Sequence, residues 1–194
     1  MHTKKATLNF SESVKASSLT VGAVTLQNTA FTPTKTYALT NSTTASSNGT
    51  QIIIDLSITD FNAIIDYTGG GLCTGLADSY ITMTSAAIAD MAAVGNSVIA
   101  VTTGVQASSY TVNTVVPANF RVTTSGAYST TMTAGTTKAI TIKAYDASGF
   151  RTPSYAGTGV SAKVLTFSGA NASLDNYTPT ARNKDANDIS FGSN

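Results

Sequence analysis

Tryptophan is absent from this chain, histidine occurs once, at position 2, and cysteine once, at position 73. A single cysteine rules out an intramolecular disulfide, so a stalk held by disulfides is excluded. A single histidine next to the first residue leaves Ser-His-Asp and Cys-His arrangements without their base, and leaves zinc of the His/Cys type short of ligands. Charge is scarce as well: Asp, Glu, Lys and Arg make up 11% of the residues and sum to a formal +1. Both signs are scattered, so there is no basic field to hold nucleic acid and no basic amphipathic helix to lie on a membrane surface. No apolar run approaches the ~20 residues of a membrane span. Met1-His2-Thr3-Lys4-Lys5 carries charge with no hydrophobic region behind it and does not read as a signal peptide. Cys73 has no His and no Lys/Arg cluster near it in sequence to lower its pKa, so it reads as a buried small residue rather than a reactive thiol.

What the chain does have is β-periodicity. Hydrophobic residues make up 42% of it, and its polar part is mostly Thr, Ser and Asn, which solvate a β-surface without charge. From Gln51, Ile52, Ile54 and Leu56 alternate with Gln51, Ile53 and Asp55, which is the pattern of a strand. At Ser57 the period changes. Ser57 and Asp60 have capping-box spacing, Leu56 and Phe61 sit where a hydrophobic staple would, and Phe61, Ile64 and Ile65 form one side of a short helix stopped by Gly69-Gly70-Gly71. Asn48-Gly49 predicts a type I′ turn that folds Tyr37–Leu39 back onto Ile52–Leu56. Further strands are expected at Ala6–Glu12, over 17–26 with Val24 and Leu26 on a common face, over 79–84 with Ile81 and Met83 inward, and over 96–103 up to Gly104, with a helical turn over 86–91. After a polar, proline-bearing junction near 106–119 the pattern restarts with strands at Phe120–Thr123, Ala139–Tyr145 and Lys163–Phe167. A length of 194 residues accommodates two β-domains of about 100 residues each. The expected fold class is therefore all-β, as sandwich units in tandem over residues 1–113 and 114–194.

Ten carboxylates are available, and nearly all fall at turns or caps, where Asp serves backbone hydrogen bonding rather than acid–base work. Asp185, Asn187 and Asp188 place oxygen side chains as the front half of a calcium loop does, though the glycine and the closing glutamate of such a loop are missing. They are the candidate metal ligands, with calcium the candidate ion. Asp90 with Asn96, joined by Asp78, is a second and weaker set. A Lys–Asn isopeptide crosslink would need a buried lysine beside a buried carboxyl, and Lys143 and Lys163 fall on strands. The Asn-X-Ser/Thr sequons are numerous, as a chain rich in those residues produces by chance. No two of the tyrosines occupy neighbouring same-face positions of one strand, so packing is their default role.

The segments TLNFSE at 7–12, YALT at 37–40, SSNGT at 46–50 and LSITDFNAI at 56–64, with GNSVIAV at 95–101, resemble the Ig-like repeat found in tandem in very large bacterial surface and secreted proteins. TTKAITIKAYDASG at 136–149 and ISFG at 189–192 are similar to a second Ig- or filamin-like repeat of the same proteins. The resemblance implies Ig-like sandwich units, the second incomplete or completed by a partner, in a chain that is a piece of something larger. It further implies a non-enzymatic structural or adhesive module of an extracellular or cell-surface assembly. Its expected partners are other copies or repeats, or cell-surface polymers, with no nucleic acid, no membrane insertion and no catalytic residue. The alternative function is a carbohydrate-binding accessory module of a secreted enzyme, which would show an aromatic platform of clustered exposed Tyr or a concave sheet face. Asp90–Asn96 departs from the repeat's pattern by two residues inserted in its terminal turn.

Overall fold

A computed structural model describes residues 4–68, 71–111, 117–124, 140–152, 181–182 and 188–189. By contact the chain falls into two compact units, residues 1–154 and 155–194. The described part of the second unit is a short antiparallel pair, β10 (Ala181–Arg182) and β11 (Asp188–Ile189), with Arg182 opposite Asp188.

The first unit is β-rich with one short helix among its described residues. Its strands are β1 (Lys5–Val14), β2 (Val24–Gln27), β3 (Thr36–Ala38), β4 (Thr43–Thr44), β5 (Gly49–Asp55), β6 (Tyr80–Met83), β7 (Val101–Gln106), β8 (Asn119–Thr124) and β9 (Ile140–Tyr145), and the helix is α1 (Ile58–Ile65). One sheet has the order β1-β5-β4, a second the order β3-β2-β6-β7, and β8 pairs with β9; every pairing is antiparallel. Alternation decides which side chains go inward. Leu8 and Ile54 of the first sheet and Val24 and Leu26 of the second meet in one buried cluster with Leu39, Leu56 and Leu72. Helix α1 adds Phe61 and Ile64, each 1% exposed, and burying two such side chains is worth about 1.5–3 kcal/mol apiece. Ser57 Oγ accepts the Asp60 amide at 3.0 Å to start the helix. Further along the same face of β5 a smaller cluster of Val14, Ala16, Ile52 and Ile88 extends the core.

Four local expectations are corrected. The extended run over 17–26 is a strand only from Val24, because the chain first makes two single 3-10 turns, Ala16–Ser18 and Val21–Ala23. Tyr37 pairs with Leu26 of β2 rather than with β5, whose partners are β1 and β4. The Asn48-Gly49 turn does not form, because neither residue has positive φ. Gly49 is instead paired with Val14, and Asn48 Oδ1 accepts the Ala16 amide, so a long-range pairing outweighs the local turn preference. Residues 86–91 are not helical: Ala89 and Asp90 bridge Ser97 and Val14, and the Ala89 carbonyl accepts from Lys15.

After β9 the chain turns at Asp146–Gly149, with Gly149 at φ 86°, and lies against α1. Phe150 meets Phe61 edge-on, with ring centroids 5.4 Å apart. Asn62 clasps both sides of the turn, donating to the Gly149 carbonyl at 3.1 Å and accepting the Arg151 amide at 2.8 Å.

Candidate functional site

The described aspartates of the first unit are spent on its own fold. Asp60 is fully buried, and its carboxylate accepts from Tyr37 Oη at 2.9 Å, the Thr40 amide and hydroxyl, the Asn41 amide at 3.0 Å and Ser42 Oγ. Burial works to raise its pKa, but the donors from Ser42, Thr40, Asn41 and Tyr37 outweigh burial and hold it far below the usual carboxylate range. The capping box is only half formed. Ser57 caps Asp60, while the Ser57 amide goes to Ser42 Oγ at 3.2 Å and leaves Asp60 free to tie the β3–β4 connection to α1.

The other described aspartates have similar duties. Asp66 takes Lys143 Nζ at 2.7 Å and Arg151 Nε at 2.8 Å; burial opposes its ionisation and these two cations prevail, lowering its pKa. Asp146 takes Lys4 Nζ and the Ser148 and Phe150 amides. Asp55 pairs with Lys5. Asp78 closes its own turn on Thr74 and Gly75. Asp90 and Asn96 do come together, at 2.7 Å from Nδ2 to Oδ2, but Oδ1 is occupied by the Ala92 and Asn96 amides, which makes the pair a turn clasp. Among the described residues no three His, Cys, Asp or Glu side chains gather as a metal site would need. Asp185 and Asn187 lie outside the described residues, and Asp188 is described only as a backbone partner of Arg182 in β11. Lys163 also lies outside them. Lys143 sits in a half-exposed ion pair with Asp66. Cys73 is fully buried with its thiol pushed up to about 11 by burial, so it is a packing residue. No helix among the described residues is long and apolar enough to cross a membrane.

One concave surface carries no structural duty. On the outer face of the second sheet, a groove of about 560 Å³ runs between β2, β6, the start of β7 and the loop over 28–35. Thr25 and Thr82 stand opposite each other on its floor, since Val24 and Leu26 take the inward positions of β2. The loop forms one wall. Gln27 Nε2 donates to the Thr29 and Ala30 carbonyls, Asn28 Oδ1 accepts the Thr34 and Lys35 amides, and the Gly104 amide donates to the Ala30 carbonyl at 2.9 Å. Gly104 permits that approach: a Cβ there would stand 3.0 Å from Ala30 Cα and 3.1 Å from the Thr29 carbonyl oxygen. Thus fixed, the loop holds Thr32 at φ 45°, an outlier for a β-branched residue, and leaves Phe31 71% exposed at the groove. Nothing in the alternation pattern pointed to Phe31. The nearest sequence signal was the lone aromatic and proline in a Thr-rich stretch between two strands.

Comparison with family models, with curated proteins and with solved structures gives no match for this chain.

Proposed function

We propose that the chain is a non-enzymatic structural and adhesive module of an extracellular or cell-surface assembly. In this reading its first unit is an Ig-like sandwich that joins neighbouring modules or copies through β-edges and hydrophobic seams. The observation that carries the reading is the use made of its charged groups. Asp55, Asp60, Asp66, Asp78, Asp90 and Asp146 each end on amides, hydroxyls or cations of their own unit rather than facing a cavity. Seven strands in two sheets with a shared core support the sandwich. Their order departs from the constant-type Ig arrangement, because β2 lies between β3 and β6 rather than beside β1 and β5. Exposed apolar residues such as Val94 and Ile99, at 85% and 88% exposure, supply seam material on the same unit.

Light scattering of the intact chain across a concentration series tests the assembly. Mass that grows with concentration is expected, and a monomer throughout the series would remove joining between copies from the reading. Surface placement is tested by antibody labelling of intact source cells, where label that appears only after permeabilisation would exclude it.

A further inference from the structure

We propose that the groove between the 28–35 loop and the outer face of the second sheet binds a neutral carbohydrate, with Phe31 as its stacking platform. Three independent observations converge on this. The first is the composition of the lining, which contains no Asp, Glu, Lys, Arg or His. An ionic ligand would lose its hydration there with no counter-charge to replace it, so the ligand is uncharged. The second is the hydroxyl floor. Thr25, Thr82 and Thr102 line the groove, and among the described residues no side-chain hydrogen bond of the fold occupies their hydroxyls. Each hydroxyl is a donor and an acceptor at once, which suits a ligand made of hydroxyls. An apolar chain laid on the same floor would bury them unpaired.

The third is the presentation of Phe31. A ring that is 71% exposed is usually a loop residue without fixed orientation, yet this one sits in a loop tied down by Gln27, Asn28 and Gly104 and bent through a strained Thr32. Strain held in place by several hydrogen bonds is the mark of a preorganised binding element. The electron-rich face of an aromatic ring attracts the positively polarised C–H face of a pyranose. A volume of about 560 Å³ lies in the range of ordinary ligand sites. The inference gives the adhesive part of the proposed function a ligand class, and it needs no self-association, so scattering and binding experiments fail separately.

The test is titration of the intact ¹⁵N-labelled chain with neutral hexasaccharides of glucose, xylose, mannose and N-acetylglucosamine, with polygalacturonate as the charged control. Expected are shifts of amides at 25–34, 82–85 and 100–102 with at least one neutral sugar, a roughly tenfold weaker response in Phe31→Ala, and a retained or stronger one in Phe31→Trp. Thr82→Val, which keeps the shape and removes one hydroxyl, is expected to weaken binding with an unchanged melting temperature. No shift with any of the neutral sugars at millimolar concentration, a response to polygalacturonate alone, or binding that survives Phe31→Ala would each overturn the proposal.

Discussion

Asp60 shows how a residue's place can be evident from sequence while its partner is not. An acid three residues after a helix-starting serine is the second half of a capping box, and the position is correct: Asp60 opens α1 and its amide bonds Ser57. Its carboxylate faces away from the cap because Tyr37, Thr40, Asn41 and Ser42, distant in sequence, bring five donor groups to one buried point. The folded-state pKa is depressed below the unfolded value of ~3.9. The group therefore adds stability above pH ~4, and loses it as pH falls through the folded pKa. Asp60→Asn presents an amide donor to amides and hydroxyls that need an acceptor, and is expected to cost about 3 kcal/mol at neutral pH. Chemical denaturation of both proteins from pH 7 down to pH 2 checks this, since the gap should narrow in acid. A gap that stays constant would mean that Asp60 acts through its shape and not its charge.

Among elements, the strands were legible and their pairing was not. β1, β5, β6 and β9 follow from alternation of Leu8 with Asn9, Ile52 with Ile53, Ile81 with Thr82 and Ile142 with Lys143, because period 2 is a local property. Which strand lies beside which depends on burial summed over the core, and there Val14 opposite Gly49 prevails over the Asn48-Gly49 turn preference. Gly104 is a case of the same kind. The expected strand ends at Thr103, whereas Gly104 lies inside β7, where the loop carrying Ala30 crosses over it. The groove was illegible for this reason, since its wall exists only where a loop from one hairpin rests on a strand about 70 residues later. Gly104→Ala should cost about 1–3 kcal/mol through overpacking against the Ala30 and Thr29 backbone, despite alanine's better fit to a strand. Hydrogen exchange separates this from general destabilisation: the amides of 29–31 and 104 should lose protection before those of β1 and β5. Uniform loss across the unit would mean that the loop is not anchored at Gly104.

At the scale of the first unit, the segment after β9 is held to the rest of that unit through α1. Phe150 packs on Phe61, Asn62 takes two backbone groups of the turn, and Lys4 at the head of β1 reaches both Asp146 and the Phe150 ring. A polar junction at 106–119 gave no hint of these contacts, because they join residues separated by more than eighty positions through single side chains. The half-exposed pairs of Asp66 with Lys143 and Arg151 contribute little once solvent screening is counted. The aromatic pair contributes roughly 0.5–1.5 kcal/mol beyond its burial, the two Asn62 bonds about 1 kcal/mol each, and the buried area of Phe150 about 1–2 kcal/mol. A protein ending at residue 113 should then be less stable than one ending at 154 by roughly 3–5 kcal/mol, measured as a lower urea midpoint with a smaller slope. Phe150→Ala in the longer protein should reproduce about half of that loss. Equal midpoints for the two lengths would show that the core of β1 to β7 with α1 is complete without the later strands, and that their docking contributes nothing to its stability.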